Sequence, residues 1–103
     1  MKITEEELRL ILYSLDGNPW HLVKPLPPEA IGDDGFIKPT ERNLSAISAF
    51  LGGFYGNLPE IVESIDEELK EEYREVAESL KGKLIDLFPM YLEEDSRNHD
   101  QQK

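Results

Sequence analysis

Along the first fifteen residues the apolar positions Leu8, Ile11, Leu12 and Leu15 fall three or four apart, the spacing of one buried helix face. Thr4 followed by Glu7 has the spacing of a capping box, and Glu5, Glu6 and Glu7 place negative charge on the first turn, where the helix dipole favours it. Asp16-Gly17-Asn18-Pro19 then breaks the pattern, so a first helix is predicted to start after Thr4 and end near Leu15.

Between Asp16 and Pro39 the pattern is irregular. Pro19, Pro25, Pro27, Pro28 and Pro39 lie here with Gly17, Gly32 and Gly35, and no long helix crosses so many breakers. Trp20-His21-Leu22-Val23 reads as a short strand and Pro28-Glu29-Ala30-Ile31 as one helical turn. Asp34-Gly35 between Ile31 and Phe36-Ile37 is a hairpin signal, which places a short β-hairpin within residues 20–38. The loop is predicted to be ordered, with Trp20 and Phe36 as its anchors.

Thr40 is a good N-cap for a second helix with Leu44, Ile47, Leu51 and Phe54 on one face, widened by Ala46, Ala49 and Phe50. Ser45, Ala49 and Gly53 form a ridge of small side chains along it, and Gly52-Gly53 marks its end. A third amphipathic helix is predicted from about Pro59 to Phe88, with Asn57 as cap and Pro89 as stop. Its stripe, Ile61, Ile65, Leu69, Tyr73, Val76, Leu80, Leu84 and Leu87, advances at a period close to the helical one. Ser64 with Glu67 has the spacing of another capping box, so a break between Ser64 and Asp66 is the alternative to one continuous helix.

The expected fold is mainly α: a small three-helix domain over residues 1–92, its second and third helices forming an antiparallel hairpin covered by the first helix and the Pro-rich loop. Met90, Tyr91 and Leu92 are expected to fold back onto it. Residues 93–103, with no large apolar side chain, are expected to form a disordered polar tail.

Charge changes the picture. Twenty-two acidic residues against eleven basic ones give a net charge of −11, a field that repels phosphate backbones and anionic lipid and attracts basic proteins. The excess is local: Glu60 to Glu78 holds nine acids and two bases, a net −7. Opposite the apolar stripe, Glu60, Glu63, Glu67, Glu71, Glu75 and Glu78 step by three or four residues, with Lys70, Arg74 and Lys81 to one side. That line reads either as a solvated helix face or as a docking surface for a basic protein, mimicking a row of phosphates to block a nucleic-acid site.

Other chemistry has little support. The chain lacks cysteine, which excludes disulfides, thiolate metal sites and cysteine nucleophiles. His21 has no second ligand beside it, Asp33-Asp34-Gly35 lacks the alternation of an EF-hand loop, and no serine sits in a Gly-x-Ser-x-Gly elbow. Gly52, Gly53 and Gly56 are not followed by the Gly-Lys-Ser/Thr of a phosphate loop. Lys24-Pro25-Leu26-Pro27-Pro28 contains a single Pro-x-x-Pro spacing, read as a rigid loop rather than an SH3 ligand. No basic start or apolar run marks a secretory signal or membrane span, so a cytoplasmic location is expected.

These observations favour a non-enzymatic interaction module, an inhibitor, immunity factor or adaptor without cofactor or metal. It is expected to bind a basic, even nucleic-acid-binding, protein through the six glutamates, with Trp20 and Phe36 as further contacts, and to bind neither nucleic acid nor membrane directly. The alternative is a structural or assembly module that self-associates through the small-residue ridge and exposed aromatics, its acidic face serving solubility. Composition leaves the oligomeric state open.

Overall fold

A computed structural model describes residues 2–53 and 55–83 of the chain. The expectations for Phe54, for the helix from Leu84 to Phe88, for Pro89 to Leu92 and for the tail 93–103 lie outside these residues.

The fold is mainly helical. Helix α1 (Glu5–Asp16) opens with the expected capping box: the Thr4 hydroxyl accepts from the Glu7 backbone amide at 3.2 Å, and the Glu7 carboxylate accepts from the Thr4 amide at 2.8 Å. It closes at Gly17, whose φ of 73° is the left-handed conformation that glycine adopts without a Cβ clash. Helix α2 spans Glu41–Gly53, with the Thr40 hydroxyl accepting from the Asn43 amide at 3.1 Å as an N-cap does.

The segment predicted as one long helix is two. Helix α3 covers Leu58–Glu63, and α4 covers residues 67–83, so the interruption falls at Ser64 to Asp66. The Ser64 hydroxyl donates back to the Ile61 carbonyl and meets the Tyr13 hydroxyl, both at 2.6 Å. It therefore ends α3 rather than capping α4. Asp66 starts α4 through its carbonyl, which accepts from the Leu69 and Lys70 amides. Ile65 turns inward across the gap and is buried, which keeps the apolar stripe on the core side despite the break.

The Pro-rich loop is built from turns. Trp20-His21-Leu22-Val23 is not a strand: Pro19–Leu22 forms a 3-10 turn capped by Asn18, whose side chain accepts from the Trp20 amide at 3.0 Å. The proline's preset φ and the Asn cap favour that turn over extension. Pro28–Ala30 makes the single helical turn expected there. The proposed hairpin reduces to an isolated antiparallel bridge between Ile31 and Ile37, closed by a turn in which Gly35 has φ 86°. A second bridge joins Thr4 to Phe36. The turn at Pro28–Ala30 on one side and Pro39 on the other leave too few extended residues for a strand pair.

The buried side chains form one cluster drawn from every helix, among them Leu8, Leu10, Ile11, Phe50, Tyr73 and Leu80. Helix α1, expected as a cover, is the most enclosed element, with Glu7, Leu8, Leu10 and Ile11 each at most 1% exposed. The loop's anchor is Leu22, buried at 3%, whereas Trp20 is 61% exposed. Phe36 is half-buried, with the Lys2 ammonium 5.0 Å from its ring centre. Asn43 ties the loop to α2 by donating to the Ala30 and Lys38 carbonyls at 3.2 and 2.8 Å.

Candidate interaction surface

The break at Ser64 to Asp66 divides the glutamate line. Glu60 and Glu63 fall on α3, while Glu67, Glu71, Glu75 and Glu78 follow one another along α4, and all six are exposed. Two of the three basic side chains beside the line, Lys70 and Arg74, fold onto its first half. Arg74 reaches Glu63 at 3.4 Å, and Lys70 lies 3.7 Å from Glu63 and 3.3 Å from Glu67. Among the described residues no Lys or Arg comes within 4.0 Å of Glu71, Glu75 or Glu78. The uncompensated acidic face is thus the outer side of α4, shorter than the sequence pattern implied.

Trp20 and Phe36 are not part of that face. Trp20 borders a groove of about 550 Å³ whose floor includes Tyr13, Leu22, Ile65 and Leu69 and in which, among the described residues, Asp66 is the one charged side chain. Phe36 sits by Lys2, which pairs with Asp34 at 3.3 Å. A second groove of about 640 Å³ separates α3 from α4 over Leu58, Val62 and Ala77, with Glu63, Arg74, Glu78 and Lys81 along it. A third, of about 620 Å³, lies between α1, α2 and the loop, with Lys24 and Arg42 against Leu12, Leu26 and Ala46.

Several polar groups behind the surface gave little sequence signal. Glu7, 1% exposed, accepts from Ser79 at 3.1 Å and from Lys83 at 2.5 Å in addition to its capping-box bond. Lys83 also donates to the Lys2 carbonyl at 2.7 Å. This cluster joins the start of α1 to the last described turn of α4. In a second network the Glu5 carboxylate accepts from the Leu26 amide (3.1 Å) and from the Arg9 guanidinium (2.6 Å). The Leu26 amide, and then Arg9, hold the Glu5 carboxyl below its ordinary value against the opposing effect of burial. Arg9 loses solvation, but Glu5 and Tyr73 outweigh that loss and raise its affinity for its proton. Burial raises the Tyr73 phenol, whose hydroxyl donates to the Leu22 carbonyl at 2.6 Å.

Among the described residues no three His, Asp or Glu side chains converge as metal ligands, and no helix is long and apolar enough to cross a membrane. No protein-family model matches the chain, and no curated protein or solved structure is significantly similar to it.

Proposed function

We propose that the chain is a non-enzymatic interaction module, an inhibitor, immunity factor or adaptor, whose acidic α4 face captures a basic protein. The observation that carries this reading is the row Glu67, Glu71, Glu75 and Glu78, exposed along one helix, its last three members without a cation within 4.0 Å among the described residues. Carboxylates in water are weak contacts singly, yet a row of one sign steers an oppositely charged partner and raises its encounter rate at low salt.

Capture of proteins from a lysate of the source cells on the immobilised chain tests this. A basic partner retained at low salt is expected to be released as ionic strength rises past the point where the screening length falls below about 10 Å. Replacing Glu67, Glu71 and Glu75 together by Lys is expected to abolish its capture. Undiminished capture by that triple variant would sink the reading.

Exposure of Ser45, Ala49 and Gly53, with open space around Gly52 and Gly53, favours a second reading: self-association along the small-residue ridge of α2. Sedimentation across a wide concentration range separates the two, since only self-association raises the mass of the isolated chain.

A further inference from the structure

The loop spends much of its local chemistry on holding a tryptophan out in water. Gly17 turns the chain in the left-handed conformation, and the Asp16 carboxylate accepts from the Asn18 amide at 2.9 Å and meets the His21 ring at 2.7 Å. Asn18 caps the turn, Pro19 fixes its first residue, and the Trp20 carbonyl accepts from the Val23 and Lys24 amides. On this base Trp20 is 61% exposed and Val23 56% exposed, and both line one groove. A large aromatic side chain on a preorganised turn loses little freedom on binding, and tryptophan is the residue most enriched among binding hot spots.

The groove it borders is complementary in kind. Its floor belongs to the core: Leu22, Ile65 and Tyr13 are at most 8% exposed, so it is preformed. Among the described residues Asp66 is the only charged one that lines it, and its carboxylate has no salt-bridge partner within 4.0 Å. Lys24 lies 5.2 Å from the Trp20 ring centre but does not line the groove. An apolar floor ending in a lone carboxylate, on a chain of net charge −11, fits an apolar group that carries a positive charge beside it.

We propose that the Trp20 groove receives a large apolar side chain of a basic protein, next to a lysine or arginine of the same protein that pairs with Asp66. This rests on the reading of the chain as a binder of a basic protein and adds a short-range, apolar determinant to the long-range attraction of α4.

Trp20 is the only tryptophan, so its fluorescence reports the groove directly. The probes are three capped peptides of equal length: lysines interrupted by leucines, lysines alone, and glutamines interrupted by leucines. At low salt the lysine–leucine peptide is expected to bind and shift Trp20 emission to shorter wavelength. The all-lysine peptide is expected to bind more weakly without a shift. With labelled peptide followed by anisotropy, Trp20→Ala is expected to weaken the lysine–leucine peptide roughly tenfold or more and leave the all-lysine peptide unchanged. Val23→Ser, a milder change at the same rim, is expected to weaken the former by a smaller factor, and Asp66→Asn to reduce its advantage over the glutamine–leucine peptide.

Binding of the lysine–leucine peptide without an emission shift, or equal affinity for Trp20→Ala and the unaltered chain, overturns the proposal while leaving capture by α4 standing. Equal binding of the glutamine–leucine peptide overturns the charge requirement. A shift produced by raising the protein concentration alone assigns the groove to a second copy and overturns it as well. Failure of both lysine peptides to bind overturns this proposal and the reading beneath it together.

Discussion

Helix α4 carries carboxylate chemistry on two sides, and the two sides do different work. Toward the core, Ser79 and Lys83 reach Glu7, a carboxylate 1% exposed that also accepts from the Thr4 amide. Toward water, Glu71, Glu75 and Glu78 stand exposed. A buried carboxylate is tolerated only when its oxygens are met by donors, so Glu7 fixes which groups come together. An exposed one interacts through water, where two unit charges 4 Å apart gain about 1 kcal/mol. It therefore contributes little to how the chain folds. The same residue type marks architecture on one side of the helix and a surface field on the other.

The largest effect that would break this contrast is expected at Glu7. Glu7→Ala removes the acceptor for the Thr4 amide, Ser79 and Lys83 at once, and is expected to cost about 2–4 kcal/mol. Lys83 is 25% exposed and regains some water, which favours the lower end. Glu7→Gln can keep the capping geometry but loses the charge, so it should cost less than Ala. Denaturant unfolding measures both, and a loss at Glu7 no greater than at Glu75 would erase the distinction between the two sides.

Next in size is the tie between the loop and α2. Asn43→Ala leaves the Ala30 and Lys38 carbonyls without its amide, at an expected cost of about 1–2 kcal/mol. The Lys38 amide still donates to Ala30 at 2.9 Å, so the loop should loosen rather than unfold. Hydrogen exchange at the Ile37 and Lys38 amides is the sharper readout, and unaltered protection there would remove Asn43 from the scaffold that holds the loop.

How much of this was legible depends on distance along the chain. Thr4 and Glu7 announced the start of α1 because both halves of the box lie within one turn, but Ser79 and Lys83, the other partners of Glu7, are 72 and 76 residues away. Nothing local distinguished them from surface residues. The interruption between α3 and α4 was visible as an alternative at Ser64, yet the regular spacing of Ile61, Ile65 and Leu69 favoured one continuous helix. Ile65 is buried beside the break, where a continuous stripe would also place it, so periodicity alone did not reveal the interruption. Trp20 was expected both as an anchor of the loop and as a partner contact, and at 61% exposure it is not the anchor. The residues that hold it outside, Asp16, Gly17, Asn18 and Pro19, were legible as a turn but not as a pedestal. Among the candidate site residues, the six glutamates were found exposed as expected, but split across two helices and partly paired with Lys70 and Arg74.

Acid offers a smaller and graded test of the inner network. The folded chain holds the Glu5 carboxyl below its ordinary value of 4.5, first through the Leu26 amide and also through Arg9. A depressed carboxyl contributes stability that is full above its unfolded value and lost as pH falls through the folded one. Stability should therefore decline below about pH 4.5. Glu5→Gln should lower stability at neutral pH and flatten that decline. Asp16, held down by the Asn18 amide and His21, adds to the same slope, although its 55% exposure makes its share small. A decline as steep in Glu5→Gln as in the unaltered chain would remove Glu5 from the account.

The smallest effect on stability is expected on the face proposed for binding. Glu71 lies four residues from both Glu67 and Glu75, and like charges at that spacing oppose a helix by about 0.2–0.5 kcal/mol per pair. Glu71→Lys replaces two such repulsions with two attractions, so thermal unfolding should show no loss and even a slight gain. Stabilisation would mean that the acidic row costs the fold something, as expected of a face kept for encounter with a partner. A loss of more than about 1 kcal/mol, outside the usual range for exposed positions, would instead give Glu71 a structural role and return the outer side of α4 to the same category as Glu7.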